Sequence, residues 1–349
     1  IGNALEFLML SGRDIAHAMM MLIPEAWDRD PLMPDQKKAF YQYHQCLMEP
    51  WDGPASIAFT DGVRIGAVLD SNGLRPSRYW VTEDHLVVMA SEVGVVAVDP
   101  GSIVEKGRLQ PGRMFLIDTE QGRIVRDDEI KAELAAAQPY GEWLDQNLLN
   151  LTELPDRTLD RSEAASLVQR QQAFGYSHEE LKILLAPMAK TGKEAIGSMG
   201  TDTPVAVLSN RSRQLYDYFQ QLFAQVTNPP LDGIREELIT STFATLGGET
   251  NLFDPGPEAC RQIFVEHPVI TDAQLAKLVH IDADGGPDGF SATVIDCRYE
   301  VGGGGDALAA ALERVRSEAS DAIAAGANLI TLSDRGMTSD LAPIPSLLS

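Results

Sequence analysis

From Gly53 onward the sequence alternates short β-forming segments with pairs of turn-forming residues. The segments are PASIAFT, VRIGAVLD, RYWVT, HLVVMAS, VGVVAV and RMFLIDT. The pairs DG, NG, ED and QG separate most of them, and such pairs tolerate the positive φ that tight hairpin turns require. The spacing predicts a mostly antiparallel meander, in which LDSNGLRP forms a hairpin between two strands.

Helical periodicity flanks this meander. Apolar residues recur at helical spacing in residues 4–23, 34–48 and 128–150. In SHEELKILLAPMAKTG, Glu180 follows Ser177 by three residues, which is the spacing of a capping box.

The last third of the chain reads as strand, helix, strand. The segments are FSATVIDCRY, DALAAALERVRSEASDAIAAG and NLITLSD, and this order predicts a parallel βαβ unit. We therefore predict an α+β half over residues 1–150 and an α/β half over residues 151–349, joined by TELPDRTLDRS.

Charge and cysteine content exclude several classes of protein. A formal net charge of -23 repels phosphate backbones and anionic lipid surfaces, so we expect no nucleic-acid or membrane partner. The cysteines Cys46, Cys260 and Cys297 are odd in number and far apart, which favours a reducing, cytoplasmic location over a disulfide framework. No histidine spacing fits a zinc helix, and no apolar run approaches the roughly 20 residues of a membrane span, so we predict no metal site and no span.

Long motifs in both halves resemble one family. EPWDGPASIAFTDG, LDSNGLRPSRYWVTEDHLVVMASEVGVV and LQPGRMFLIDTEQGRI resemble the C-terminal part of the class II glutamine amidotransferase domain of glutamate synthases. GSMGTDTPVAVLS, YFQQLFAQVTNPPLDGIREE and LITLSDRG resemble the central domain that follows it in that family. The resemblance implies a partial α/β/β/α sandwich of the N-terminal-nucleophile type over residues 1–150. It implies a central domain like a degenerate β/α barrel over residues 151–349.

The resemblance also implies a reaction. Glutamate synthases make L-glutamate from 2-oxoglutarate and ammonia released from glutamine, with electrons from NADPH or ferredoxin that reach FMN through an iron-sulfur cluster. The family's amidotransferase uses an N-terminal cysteine, whereas this chain begins with Ile1. We therefore expect a fragment without catalytic residues or a cofactor of its own. FMN and the iron-sulfur cluster belong to the family's C-terminal part.

The expected partners of such a fragment are the rest of the same polypeptide, namely the N-terminal glutaminase half and the FMN domain, and a small NADPH-oxidising subunit. The expected role of the fragment is that of scaffold and of part of the ammonia tunnel. An alternative is a catalytically inactive interaction or regulatory module derived from the same two domains.

The resemblance points to one set of residues on the glutaminase sheet. We predict a structural motif in which the glycine accepts positive φ and the first arginine bonds carbonyl or carboxylate oxygens. Its members are Asp70, Asn72, Gly73, Arg75 and Arg78. Ser71 stands where the family usually has an arginine. For nearby Trp51, packing as core filler is the expectation.

Two further segments carry candidate residues. Thr227 and Asn228 lie in a loop stiffened by two prolines, and the resemblance places such a loop at the mouth of the ammonia tunnel. A proline-stiffened connection without ligand contact is the alternative. Ser198, Asp202 and Thr203 are predicted to form an interdomain loop. At the end of the last predicted strand, a structural pair is expected between Asp334 and Arg335 of the LSDRG motif.

Overall fold

A computed structural model of the protein describes residues 1–51, 53–159, 165–196, 204–210, 213–219 and 231–349. The chain divides into two compact units. Unit 1 lies within Ile1–Glu153 and Thr227–Val269, and unit 2 lies within Leu154–Val226 and Ile270–Ser349. The division into domains at residue 150 stays a prediction, and the structure groups residues 231–269 with the first unit.

Both units contain helices and strands. The helices are α1 (Gly2–Leu10), α2 (Ile15–Leu22), α3 (Asp35–Gln45), α4 (Asp127–Ala135), α5 (Tyr140–Asn147), α6 (Leu167–Ala173), α7 (His178–Glu180), α8 (Ala186–Thr191), α9 (Gly233–Ile239), α10 (Asp272–Val279) and α11 (Gly304–Ala324). The strands are β1 (Ser56–Thr60), β2 (Arg64–Leu69), β3 (Arg78–Thr82), β4 (Val87–Ala90), β5 (Ile103–Arg108), β6 (Met114–Asp118), β7 (Arg123–Val125), β8 (Leu149–Asn150), β9 (Ala244–Leu246), β10 (Ile263–Val265), β11 (Ala292–Asp296), β12 (Arg298–Glu300), β13 (Leu329–Ser333) and β14 (Leu341–Pro343).

Unit 1 is built in layers around two antiparallel sheets. Strand β6 shows why, because successive side chains of a strand point to opposite faces. Met114 and Leu116 pack in the cluster formed by the helices, whereas Phe115 and Ile117 pack with residues of the second sheet. The Tyr79 and Phe115 rings, one from each sheet, lie 4.5 Å apart between centroids. The order is therefore a helix layer, a four-stranded sheet and a three-stranded sheet.

The predicted antiparallel meander is confirmed in its strand pairing but wrong in one connection. The four-stranded sheet has the order β1-β2-β6-β7 and the three-stranded sheet the order β4-β3-β5, and all these pairs are antiparallel. Strands β2 and β3 do not pair, so residues 70–77 cross from one sheet to the other. The predicted LDSNGLRP hairpin is thus a crossover whose turn lies at the junction of the two sheets.

Other strand predictions also failed locally. VGVVAV forms turns and bends rather than a strand, and several of its valines are exposed. The next segment, β5, forms an edge strand although its sequence IVEKGR contains three charged residues and a glycine. Its alternating half-buried and exposed residues fit a strand with one solvent face.

The predicted helix over residues 4–23 is two helices. Gly12 lies between α1 and α2 and has a φ of +89°, which is incompatible with a continuous helix. Asp14 then caps α2, since its Oδ1 accepts a hydrogen bond from the Ala16 N–H at 2.8 Å. Helix α2 is buried along almost its whole length and forms the centre of the unit 1 core.

Unit 2 contains the predicted βαβ arrangement. Strands β11 and β13 pair in parallel, from Ala292 opposite Leu329 to Asp296 opposite Ser333, and α11 connects them. The capping box at Ser177 is also confirmed: Ser177 Oγ accepts from the Glu180 N–H at 3.2 Å, and the Glu180 carboxylate accepts from the Ser177 N–H at 2.7 Å.

The finer fold assignments go beyond these elements. The chain is a mixed α/β protein with small sheets, and the sandwich of the N-terminal-nucleophile type and the degenerate barrel stay predictions. Within the ranges that the structure describes, no helix is both long and apolar enough to cross a membrane.

Candidate functional site

A cleft of about 400 Å³ opens in unit 1. Four segments line it: the loop after α2, the loop after α3, the turn after β2, and the residues in and around α9. The lining mixes acidic, amide, hydroxyl and aromatic side chains, among them Glu25, Trp51, Asp70, Ser71, Asn72 and Phe243.

The turn after β2 is held by the buried carboxylate of Asp70, which is 5% exposed. Asp70 Oδ1 accepts a hydrogen bond from the Ala55 N–H at 3.1 Å, and Oδ2 accepts one from the Asn72 N–H at 2.8 Å. These two bonds satisfy the carboxylate and fix the start of the crossover. Hence Asp70 serves this turn through backbone contacts, and the side of the turn that carries Ser71 and Asn72 lines the cleft.

Gly73 has the positive φ expected of it, +64°. A Cβ at this position would lie 2.3 Å from Cγ of Pro111, so the turn after β2 rests against the turn between β5 and β6. Close approach and backbone conformation both favour glycine here.

One of the two arginines of the predicted motif, Arg75, lies differently from expectation. Arg75 and Arg78 are exposed, and within the described chain neither guanidinium has a hydrogen-bonding or ion-pairing partner. The expected bond from Arg75 to a carbonyl or carboxylate oxygen is therefore not formed. The Arg75 side chain is exposed to solvent.

A mostly buried ion cluster adjoins the cleft, and the sequence reasoning missed it; its one exposed member is Arg113, whose side chain is 44% exposed. It consists of Glu25, Lys37, Arg113, Asp127 and Lys131. Lys131 is 2% exposed, and its Nζ lies 3.0 Å from Glu25 Oε1 and 2.9 Å from Asp127 Oδ1. Lys37 Nζ reaches the same oxygen of Glu25 at 2.9 Å, and Arg113 Nη1 reaches Asp127 Oδ2 at 2.6 Å.

The cluster holds its acids in the charged form. Burial alone would raise the pKa of Glu25, but the adjacent Lys131 and Lys37 outweigh it and the pKa lies below its usual value. Asp127 behaves likewise: Lys131 and the Met114 N–H outweigh burial and lower its pKa. The one sequence signal for this cluster is the i, i+4 spacing of Asp127 and Lys131 on a helix, a common surface pattern that does not reveal burial.

The predicted tunnel residues Thr227 and Asn228 lie outside the described residues, and so do Ser198, Asp202 and Thr203. Leu231 lines the cleft together with Thr240 and Ser241. Residues that follow Pro229 and Pro230 in the sequence therefore line the same cleft as the turn at Ser71 and Asn72.

Trp51 is 52% exposed, so its predicted role as core filler is wrong. Its backbone N–H bonds Leu22 O at 2.8 Å, which ties the loop after α3 to the end of α2 and leaves the indole at the cleft. Inside the cleft wall, the Trp27 and Phe243 rings meet edge to face with centroids 5.7 Å apart.

A second buried polar group of unit 1 is a histidine pair in the helix layer. His17 Nε2 and His44 Nε2 lie 2.7 Å apart, and His44 Nδ1 lies 2.7 Å from Phe40 O. Both rings therefore fit the neutral form, with His44 donating to Phe40 O and accepting from His17. Burial lowers the pKa of His17 to about 4 and that of His44 well below its usual range.

The thiols offer no activated nucleophile. All three cysteines are buried, and burial raises the pKa of Cys46 to about 12 and that of Cys260 to about 11, and also raises the pKa of Cys297. Over the residues that the structure covers, no three His, Cys, Asp or Glu side chains are grouped to hold a metal ion.

The predicted pair between Asp334 and Arg335 is wrong, because Arg335 has a different partner. Arg335 Nη2 donates to Asp272 Oδ1 at 2.6 Å, and Asp272 lies in the first turn of α10. Arg335 thus ties the loop after β13 to a helix of unit 2 instead of pairing with its neighbour Asp334.

Comparison with known proteins places these contacts in a family context. Residues 1–143 match the family described as Glutamine amidotransferases class-II, and residues 169–349 match the one described as Glutamate synthase central domain. The chain is 45% identical, over 100% of its length, to the Glutamate synthase [NADPH] large chain of Bacillus subtilis (strain 168), of which it covers 22%.

Two more relatives differ in their named electron donor. Identity is 42% over 99% of the chain to Glutamate synthase [NADH] of Schizosaccharomyces pombe (strain 972 / ATCC 24843), of which the chain covers 17%. Identity is 41% over 96% of the chain to Ferredoxin-dependent glutamate synthase 2, chloroplastic, of Arabidopsis thaliana, of which it covers 20%. The chain thus spans about a fifth of the length of these curated relatives.

Proposed function

The chain belongs to the glutamate synthase family, and we propose that it supplies scaffold and part of the ammonia path of such an enzyme. The enzyme would make L-glutamate from 2-oxoglutarate and glutamine-derived ammonia. The observation that carries the proposal is the cleft of unit 1, whose wall includes both the turn at Ser71 and the segment that begins at Leu231.

The chemistry of the cleft wall suits a small neutral molecule. A conduit for ammonia needs hydrogen-bonding groups but no unpaired carboxylate, since a free buried anion favours ammonium over ammonia. The two least exposed acids of the wall meet this condition. Glu25 pairs with Lys37 and Lys131, and Asp70 accepts two backbone N–H groups.

In this proposal, the residues predicted from the sequence act in or near the cleft. Asp70, Asn72 and Gly73 would hold the turn that forms one wall, as scaffold for the glutaminase sheet. Thr227 and Asn228 would continue the opposite wall at the tunnel mouth, and Ser198, Asp202 and Thr203 would form an interdomain loop. These assignments rest on the family resemblance.

Catalysis would come from elsewhere in the enzyme. Expressed alone, residues 1–349 are expected to hydrolyse no glutamine, because the buried, high-pKa thiols of this chain offer no thiolate. FMN, the iron-sulfur cluster and the reductase that feeds them would belong to other parts of the enzyme. The cysteines of this chain do not fit a cluster, because no three potential ligands meet within the described ranges.

The experiment is to block the cleft in the full-length glutamate synthase that carries this segment. Ser71→Trp adds a large side chain to the cleft wall, and Ser91→Trp, at an exposed position after β4 outside the lining, is the matched control. Glutamine hydrolysed and glutamate formed are measured in the same reaction.

With Ser71→Trp we expect glutamine hydrolysis to yield less glutamate from 2-oxoglutarate and more free ammonia than in the parent enzyme. The control should keep the parent ratio. If Ser71→Trp keeps that ratio as well, the cleft is not part of the ammonia path.

A further inference from the structure

Glu25 and the turn at Asp70 face the same cleft and come from distant parts of the sequence. Lys131 connects them. Its ammonium group has three N–H donors, and three acceptors surround it: Glu25 Oε1 at 3.0 Å, Asp127 Oδ1 at 2.9 Å and Gly112 O at 2.6 Å. At 2% exposure, Lys131 is satisfied entirely within the protein.

Gly112 connects Lys131 to the turn at Asp70 through backbone hydrogen bonds. Its N–H bonds Leu69 O at 2.9 Å and Asp70 O at 3.1 Å, so the turn between β5 and β6 is joined to the end of β2. Gly112 has a φ of +68°, and a Cβ built there would lie 2.5 Å from Cβ of Glu25. The backbone at Gly112 therefore lies directly against Glu25, with no room for a side chain.

From these contacts we infer that Lys131 and Gly112 are positioning residues that set the two walls of the cleft, Glu25 on one side and the Asp70 turn on the other. The inference rests on the proposed function, since the cleft matters to catalysis only as an ammonia path. Lys131 fixes the charge and place of Glu25, and Gly112 fixes the distance between Glu25 and the turn. Neither residue lines the cleft itself.

Two independent perturbations test this in the full-length enzyme. Lys131→Met removes the ammonium group that joins the walls, and Gly112→Ala pushes Glu25 away from the turn without removing a charge. The matched controls are Lys106→Met, at a lysine on β5 outside the cleft, and Gly122→Ala. Gly122 has nearly the same φ, +64°, but a Cβ there meets nothing within 4 Å.

For both perturbations we expect a loss of coupling, with less glutamate formed per glutamine hydrolysed than in the parent and in either control. A merely structural role would lower both rates together and keep their ratio. Should Lys131→Met not fold, Gly112→Ala decides, because its backbone strain is matched by Gly122→Ala.

The outcomes separate this inference from the function on which it rests. If Ser71→Trp uncouples the enzyme while folded Lys131→Met or Gly112→Ala stays coupled, the positioning role is overturned and the cleft remains the path. If Ser71→Trp also stays coupled, the proposed function and the inference both fall.

Discussion

The two units bury their apolar side chains to very different degrees. In unit 1 a continuous core joins α1–α5 to the four-stranded sheet, and α2 lies buried within it. Among the described residues of unit 2, one cluster has five buried residues, and the 21-residue helix α11 buries two of its own, Ala311 and Val315. Exposed large apolar side chains occur in both units, for example Leu32 in unit 1 and Leu167 in unit 2.

The polar interactions differ in the same way. Unit 1 contains a buried ion cluster around Lys131, whereas the Arg316–Glu313 pair of α11 is more than half exposed. Buried pairs are costly to break, and exposed ones contribute little. The difference indicates that unit 1 is stabilised mainly from within, and that unit 2 depends less on any single side chain.

Tryptophan fluorescence separates the two units experimentally. The chain has four tryptophans, and all of them, Trp27, Trp51, Trp80 and Trp143, lie in unit 1. Fluorescence therefore follows unit 1, and far-UV circular dichroism follows both units.

The largest effect is expected from the unit 1 core. Phe40 is 0% exposed and packs against His44 with ring centroids 4.1 Å apart. Phe40→Ala should lower the free energy of unfolding of unit 1 by about 3–5 kcal/mol, because it removes a buried ring and leaves a cavity. The measurement is denaturant unfolding followed by fluorescence.

Phe174→Ala in unit 2 is the matched control, since Phe174 is 38% exposed. Its cost, measured by far-UV circular dichroism because unit 2 has no tryptophan, should stay below about 1 kcal/mol. Equal losses for the two variants would contradict the contrast between the units.

Acid should also destabilise unit 1 selectively. The folded pKa of His17, about 4, lies below the unfolded value of about 6.5, so the unfolded state binds more protons between these values. The free energy of unfolding of unit 1 is therefore highest above pH 6.5 and falls as the pH drops towards 4. His17 alone should account for a loss of about 3 kcal/mol. Nearby Arg13 strengthens this effect, and Asp14 opposes it.

Fluorescence-detected unfolding between pH 7 and pH 4 measures this loss. His17→Gln should flatten the pH dependence, while His178→Gln, at an exposed position in unit 2, should leave it unchanged. A fluorescence transition with the same pH dependence in parent and His17→Gln would refute the role of the pair.

The smallest effect is expected at a helix cap of unit 2. Ser177→Ala removes the side-chain acceptor of the α7 capping box and should cost about 1 kcal/mol, seen as a lower midpoint by circular dichroism without a change in the fluorescence transition. Ser320→Ala, on the exposed side of α11, should cost less. A shift of the fluorescence transition by Ser177→Ala would show that the units do not unfold separately.

Sequence patterns predicted the α7 cap and the β11–β13 pair correctly. Ser177 and Glu180 predicted their cap, because the two residues lie within one helical turn. FSATVIDCRY and NLITLSD predicted a parallel pair, because the helix between them can return the chain to the same end of the sheet. Sequence motifs likewise identified the family.

Long-range contacts were not predictable in the same way. The pair Asn72-Gly73 is typical of a hairpin, yet Gly73 packs closely against Pro111, and no local sequence pattern predicts that contact. Lys131 looks like a surface residue of an amphipathic helix, and its burial follows from Glu25, more than a hundred residues earlier. Trp51 was expected in the core because tryptophans usually are, whereas its loop is held by its backbone.

The most direct test of the central claim traces the nitrogen atom. The full-length enzyme is given glutamine labelled with ¹⁵N in its amide, together with 2-oxoglutarate, reductant and unlabelled ammonium in the buffer. If the cleft belongs to the ammonia path, the parent and Ser91→Trp place the label in the newly formed glutamate, and Ser71→Trp releases it into the ammonium pool. Equal labelling of glutamate in all three enzymes would contradict the account.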